Sequence, residues 1–465
     1  LMRLSLMDNQ FPGVPNAVRV LTRLRKLNMS GNSITNIPNW IGELVKMEET
    51  HFATNQIINF PRAIGMLSNL KDLRIAHNQM ETIPDELGDA TSLERLRMSG
   101  NHFTDLPDSI TELIYLTDLS VADNKLRRLP AGLGIMTQLQ NLIMDNNPPL
   151  FDYVPPDVLK KGVESTRNYL RALAMARETL HLSLNDQEIS VLSPSITDVT
   201  SLTSLRLDQN RITELPDHLF VMTALTSLSP KNNKVDHIPT GMLKLSNLTY
   251  LNLDGNPFAR FPDEIVSAGK DQLFLYLSRV EESMESSALN LDALGLRAVP
   301  YDVPRMTGLM SLSVAGNHLT QLPDLLTQLV GLLSLNVRDN KITSLPTNIG
   351  ELTELRDFDL SKNQLAYLPL SMGLMTGLHR LNVDENPFES PPMEIVHKGR
   401  EPILEYLRSL SHGSSSSDID LRDQGLERVP VHVMQFNTMT KLVLDNNELI
   451  ELPENLGILT HLRAI

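Results

Sequence analysis

An asparagine returns every 23 residues along much of this 465-residue chain, and no other feature limits its fold as strongly. A fixed period of this size is the signature of structural repeats that stack into a solenoid. In such an array no unit can bury its apolar face alone, so the units must pack against one another. The asparagines are Asn9, Asn32, Asn55, Asn78, Asn101, Asn124 and Asn147, then Asn210, Asn233 and Asn256, then Asn317, Asn340, Asn363 and Asn386, and lastly Asn447.

The residues around each asparagine follow the pattern LxxLxLxxNxLxxLP. One example runs through Leu93, Leu96, Met98, Asn101 and Pro107. Three further units keep the apolar flanks but place Gln187, Leu294 and Gln424 at the reference position, which makes eighteen units in all. The alternation of apolar and polar residues predicts a short strand with one buried face. Stacking the units therefore predicts a parallel sheet on the concave side of the solenoid.

The repeated asparagine has a structural role in this interpretation. It lies where the chain turns off the strand, and its amide can both donate to and accept from backbone groups of adjacent turns. Leaving such a buried group unpaired costs roughly 1–3 kcal/mol, which explains why one residue type recurs. The positions to which we assign this role are Asn32, Asn55, Asn78, Asn101, Asn124, Asn210, Asn233, Asn317, Asn340, Asn363 and Asn447.

This pattern resembles the typical-type leucine-rich repeats of cytoplasmic eukaryotic proteins, such as multi-block scaffolds and Roco GTPase-kinases. The resemblance covers nearly the whole chain and implies an α/β solenoid, the leucine-rich-repeat horseshoe with a parallel concave sheet and helical insertions. It also implies protein binding, signal transduction and a cytoplasmic location. The partner would be another protein of unknown identity.

Composition narrows the range of possible functions further. The 56 acidic and 41 basic residues leave a formal charge of -15, which disfavours binding to nucleic acid. The absence of cysteine excludes disulfides and thiolate sites and suits a reducing compartment. No apolar run approaches the ~20 residues of a membrane span. We find no phosphate-binding loop, HExxH motif or kinase motif, so we expect no catalytic residues, no cofactor and no metal site.

The 23-residue step fails three times, with gaps of 40, 38 and 38 residues. Each insert carries a glycine 25 residues before the next reference position and a tyrosine seven residues later. Each therefore predicts a short helix, a glycine stop and a second amphipathic helix. Packing helices that close the core are the favoured interpretation, and docking helices remain the alternative. The glycines are Gly162, Gly269 and Gly399, and the tyrosines are Tyr169, Tyr276 and Tyr406.

These inserts divide the chain into four blocks of repeats. We expect the strands to continue past each insert, so that the blocks form one continuous solenoid. The chain starts at Leu1 and stops inside a repeat at Ile465, and we interpret it as a fragment. The boundaries are 1–155 for the first block, 156–178 for a helical insert, 179–262 for the second block, 263–286 for an insert, 287–392 for the third block, 393–417 for an insert with a serine-rich loop, and 418–465 for a truncated fourth block.

The repeat register places the side chains six, four and two residues before each reference position on the concave surface. Two charged groups lie there: Arg74, Arg95 and Arg97 on adjacent strands, and Asp357, Asp359 and Asp384 nearer the other end. Like charges on facing strands are mildly destabilising. The charges therefore either pair in cross-strand ladders or bind a partner. One ladder would join Asp72, Arg95 and Asp118, and the other would join Asp357, Arg380 and Asp418. The arginine group is our first choice of contact.

Two function classes follow. The first is a binding scaffold or adaptor that acts alone. The second is the recognition arm of a larger signalling enzyme of the Roco type, whose catalytic domain lies outside this stretch. Pro230 occupies an inward strand position and has no N–H to donate, so we also predict a local defect in the strand ladder there.

Overall fold

The computed structural model describes residues 1–258 and 260–465, apart from the side chains of 413–415. It divides into two compact units: residues 1–235 with 244–257, and residues 236–243 with 258–465. The strands are β1 Arg3–Ser5, β2 Lys26–Asn28, β3 Glu49–His51, β4 Asp72–Arg74, β5 Arg95–Arg97, β6 Asp118–Ser120, β7 Asn141–Ile143, β8 His181–Ser183, β9 Ser204–Arg206, β10 Ser227–Ser229, β11 Tyr250–Leu251, β12 Ala288–Asn290, β13 Ser311–Ser313, β14 Ser334–Asn336, β15 Asp357–Asp359, β16 Arg380–Asn382, β17 Asp418–Asp420 and β18 Lys441–Val443.

The strands form parallel sheets in series, and every register step is 23 residues, as where Leu73 pairs with Leu96 and Leu96 with Leu119. The sheets contain β1–β7, β8–β11, β12–β16 and β17–β18. The prediction that the strands continue past each insert is therefore wrong. In the first unit pairing stops between β7 and β8, in the second unit it stops between β16 and β17, and β11 ends one sheet while β12 begins another.

Each break coincides with an inserted helix, and a helix is wider than the spacing between neighbouring strands. Neighbouring strands lie about 4.8 Å apart, whereas a helix with its side chains is about 10 Å across. Helix α2, residues Val163–Thr179, lies between β7 and β8 in the chain and packs against β8. The reference positions just after the inserts, Gln187, Leu294 and Gln424, also lack the asparagine that would bridge back to the preceding repeat.

The core lies between the strands and a row of short 3-10 helical turns. Leu96 and Met98 point into it from the strand side, and Leu106 and Ile110 close it from the other. The proline that ends each motif, such as Pro107, is extended and offers its carbonyl to the first turn at Ile110. The turns are Asn16–Val18, Asn39–Glu43, Arg62–Met66, Asp85–Asp89, Asp108–Glu112, Ala131–Gly134, Pro148–Asp152, Pro194–Asp198, Asp217–Val221, Thr240–Lys244, Val303–Arg305, Asp324–Gln328, Ile349–Glu351, Leu370–Leu374, Val431–Gln435 and Glu454–Ile458.

Each insert forms the two helices that the sequence predicts. The glycine between them has φ near +95°, a conformation that glycine adopts without strain. A residue in the left-handed region, such as Leu180, then leads from the second helix into the next strand. The helices are α1 Pro156–Lys160 with α2 Val163–Thr179, α3 Asp263–Ser267 with α4 Lys270–Ser286, and α5 Met393–Val396 with α6 Arg400–Ser416.

The serine-rich loop predicted at the end of the third insert is helical instead. Helix α6 continues to Ser416 and has 17 residues, as α2 and α4 do. Ser417 then takes the left-handed conformation that Leu180 and Ser287 take after the first two inserts. The shared length follows from the shared geometry, because each second helix must deliver the chain to the next strand at the same place.

The ladder defect predicted at Pro230 is confirmed. Strand β10 pairs with β9 through three residues but with β11 through only two, Ser227 with Tyr250 and Leu228 with Leu251. In regular repeats the N–H at this position donates to the next strand, as Leu207 does to the Ser229 carbonyl at 2.7 Å. Proline cannot donate this bond, so β11 ends one residue early.

Candidate protein-binding surface

The asparagines hold the backbone from which the outward side chains project. Asn101 Nδ2 donates to the carbonyls of Ile75 and Met98, both at 3.0 Å, and Oδ1 accepts from the N–H of Met80 at 3.1 Å. One side chain thus ties its own turn to the preceding repeat. The same three contacts recur at the other bridging asparagines, for example Asn340. The result is a rigid row of strands at a constant register.

We call the surface formed by the outward side chains of the strands the strand face. In the first sheet one charged group is centred on Asp72, whose side chain is only 1% exposed. Arg74 Nη2 donates to Asp72 Oδ2 at 2.9 Å, and Arg95 Nε donates to the same oxygen at 3.0 Å. Burial alone would raise the pKa of the Asp72 carboxyl, but the bonds from the two arginines hold that pKa below its ordinary value.

The third arginine of this group has a weaker counter-charge. Arg97 Nε lies 3.7 Å from Asp118 Oδ1, and the Asp118 side chain is 19% exposed. The side chains of Arg74, Arg95 and Arg97 are 39%, 38% and 41% exposed. Both carboxylates therefore lie deeper than the guanidinium groups that cover them. The predicted pairing of Asp72 with Arg95 is present, whereas Asp118 pairs with Arg97 instead of Arg95.

Two residues that sequence reasoning missed lie beside this group. His51 Nε2 is 3.9 Å from Asp72 Oδ1, and burial together with the charge of Arg74 lowers the pKa of His51. Thr50 takes a position that is leucine in most repeats, and its buried Oγ1 has no hydrogen-bond partner among the described residues. The repeat register could have revealed both residues. Thr50 interrupts the column of apolar residues, and His51 occupies the register position of Arg74.

The acidic group of the second unit is only partly brought together. Asp357 and Asp359 line an open groove of about 640 Å³ on the strand face, beside Arg380 and Asn382. Arg380 Nε lies 3.6 Å from Asp357 Oδ1. Asp384 is exposed but does not line this groove. The predicted pairing of Arg380 with Asp418 is not found, because the two residues belong to different sheets.

Family models match three stretches of the chain. A model described as leucine rich repeat matches residues 200–258, and a second model with that description matches residues 23–44 and 92–113. These repeats are leucine-rich repeats. Leucine-rich repeats generally serve protein binding and are typically not enzymes. Among the described residues no cluster of His, Asp and Glu could hold a metal ion, and none of the helices has the length and apolar character to cross a membrane.

Several solved leucine-rich-repeat structures match the chain at low sequence identity and low TM-score. A leucine-rich-repeat protein of Leptospira interrogans is 24% identical, with 99% of this chain and 95% of that chain covered and a TM-score of 0.29. An internalin of Listeria monocytogenes is 20% identical, with coverages of 82% and 86% and a TM-score of 0.28. The ectodomain of the receptor kinase GASSHO1/SCHENGEN3 of Arabidopsis thaliana is 20% identical, with coverages of 99% and 69% and a TM-score of 0.29. A search of curated proteins found no significant match.

Proposed function

We propose that this chain is a non-enzymatic scaffold or adaptor in intracellular signalling that binds other proteins through the strand face of its first sheet. The observation that carries the proposal is the depth order of the charges. Asp72 and Asp118 lie beneath Arg74, Arg95 and Arg97, so a partner approaching this face meets guanidinium groups first. Arginine presents a planar fork that pairs with carboxylates through two bonds, and it is enriched at interface hot spots.

The arrangement also reduces the entropic cost of binding. Arg74 and Arg95 are held by hydrogen bonds to a buried carboxylate, so they lose less side-chain freedom when a partner binds. An acidic segment of a protein partner fits this surface best. A cytoplasmic location is part of the proposal, since a chain without cysteine suits a reducing compartment.

The groove beside Asp357 and Asp359 favours a second candidate contact on the strand face. Arg380 is far more exposed there than its counter-charge, with side-chain exposures of 87% and 48% for Arg380 and Asp357. A role as the recognition arm of a larger signalling enzyme would use the same surfaces. A GTPase or kinase domain in the same polypeptide would favour such an arm over an independent scaffold.

The test is quantitative recovery of partners from cytosolic extract by two matched variants. The first combines Arg74→Gln, Arg95→Gln and Arg97→Gln with Asp72→Asn and Asp118→Asn, so that no buried carboxylate loses its counter-charge. The second combines Asp357→Asn, Asp359→Asn and Asp384→Asn. Partner loss in the first variant alone supports the arginine group, and loss in the second alone moves the site to the acidic group. Unchanged recovery in both, with circular dichroism showing an intact fold, contradicts a strand-face site.

A further inference from the structure

The three inserts are built alike, but the second departs from the others at two facing positions. In the first insert the backbone of α2 approaches Gly134 so closely that an added Cβ would collide with Arg171, and Arg171 Nε donates to the Gly134 carbonyl at 3.0 Å. In the third insert Arg408 makes the same bond to the carbonyl of Gly373 at 3.2 Å. The second insert has no such pair, because Leu243 and Ser278 occupy the equivalent positions.

This exchange removes the contact that ties the second helix to the preceding turn in the other inserts. Leucine carries a side chain where glycine leaves room for the helix backbone, and serine is too short to reach the carbonyl as arginine does. Helices α2 and α6 pack closely against the preceding 3-10 turn. In the second insert α4 and residues 237–240 line a groove instead.

This apolar groove has a volume of about 310 Å³. We call it the α4 groove, and all of its lining residues belong to the second unit. Its walls include Ile238, Pro239, Val280, Met284 and Val303. Met284 is 68% exposed at its mouth. Pockets for whole small ligands measure roughly 300–1,000 Å³, so the α4 groove has room for one or two large side chains.

One hydroxyl at the polar edge of the groove also lacks the hydrogen bond that its counterparts in the other inserts make. Tyr169 and Tyr406, the tyrosines of the first and third inserts, hydrogen-bond to Ser195 and Ser390 at 2.7 Å and 3.0 Å. The equivalent Tyr276 lines the groove and has no hydrogen-bond partner among the described residues. Asp302 lies on the same edge, with Oδ2 4.0 Å from His237 Nδ1. An occupant can therefore gain hydrogen bonds here that the chain itself does not make.

We propose that the α4 groove binds a large apolar side chain from a basic segment of a partner protein. Charge complementarity supports a basic partner, because Glu281 and Glu285 are exposed on α4 beside Val280 and Met284, and neither has an ion pair among the described residues. Asp302 adds a third carboxylate at the edge. This site is independent of the strand-face proposal and lies on the insert side of the repeats.

The test selects peptides from a random 12-residue display library against the whole chain and measures the affinity of the synthetic peptides by fluorescence polarisation. The expected peptides carry a large apolar residue next to lysine or arginine. Met284→Lys replaces an exposed apolar side chain with a positive charge and should weaken their binding at least about tenfold. Val330→Lys is the matched control, because Val330 is also exposed, at 61%, and lies outside the groove.

A second variant tests the origin of the groove. Leu243→Gly with Ser278→Arg restores the pair found in the first and third inserts and should close the groove, so that the selected peptides no longer bind. Selected peptides that bind Met284→Lys or the double variant as well as they bind the native chain would overturn the proposal. So would a selection that yields only acidic or wholly polar sequences.

Discussion

His51 Nε2 lies 3.9 Å from Asp72 Oδ1 on the next strand, yet the histidine has its pKa lowered rather than raised. Burial disfavours the charged imidazole, and Arg74 adds repulsion that outweighs the carboxylate. In the unfolded chain the imidazole takes up a proton near pH 6.5, whereas the folded chain resists protonation. The unfolded state therefore binds more protons below that pH, and the free energy of unfolding falls as the pH drops.

His51→Asn should make the chain more stable relative to the native chain as the pH falls. Between pH 7.5 and 5.5 the urea midpoint of the native chain should fall more than that of the variant. His318→Asn, at an exposed position, is the control and should follow the native chain. Equal slopes for the native chain and His51→Asn would contradict the assignment.

Asp72→Asn should lower the free energy of unfolding by about 2 kcal/mol at pH 7, because both arginines lose a charged acceptor. The partial exposure of the arginines limits the loss. Asp357→Asn, in a pair that is much more exposed, should cost less than about 0.5 kcal/mol. Urea unfolding of both variants measures the difference. A loss for Asp357→Asn as large as that for Asp72→Asn would show that burial does not set the strength of these pairs.

Thr50→Val should raise the free energy of unfolding by about 1 kcal/mol, since it removes a buried hydroxyl that has no partner. Thr166→Val is the matched control. Thr166 is equally buried, but its Oγ1 donates to the Gly162 carbonyl at 3.2 Å. Thr166→Val should therefore lower the free energy of unfolding or leave it unchanged. Stabilisation by both substitutions would attribute the effect to hydrophobicity alone.

Gly134→Ala should destabilise the chain by about 1–3 kcal/mol, because the added methyl group collides with the α2 backbone at Arg171. A Cβ added at Gly13 meets no atom within 4 Å, so Gly13→Ala should change stability by less than about 1 kcal/mol. Thermal melting of the two variants checks this pair. A larger shift for Gly13→Ala would mean that α2 does not rest on Gly134.

The repeat itself could be predicted from the sequence because one period governs every unit. The spacing of Asn78, Asn101 and Asn124 gives the strand register, and the apolar pattern gives the buried face. The breaks between sheets could not be predicted, because the apolar strand pattern persists on both sides of each insert. The burial of Asp72 could not be predicted either. Its register position faces outward, and it is buried only because Arg74 and Arg95 pack over it.

The asparagine bonds have a consequence for how a chain of this kind can change in length. Asn101 needs only a carbonyl 26 residues earlier and an N–H 21 residues earlier, and every regular repeat presents the same two groups. Removing one whole repeat within a sheet brings identical partners together, so the gap closes without a new interface. An insert such as α1 with α2 offers no such partner. We therefore expect the number of repeats within a sheet to tolerate duplication or deletion of whole units, with the inserts marking the ends of the segments in which that exchange is possible.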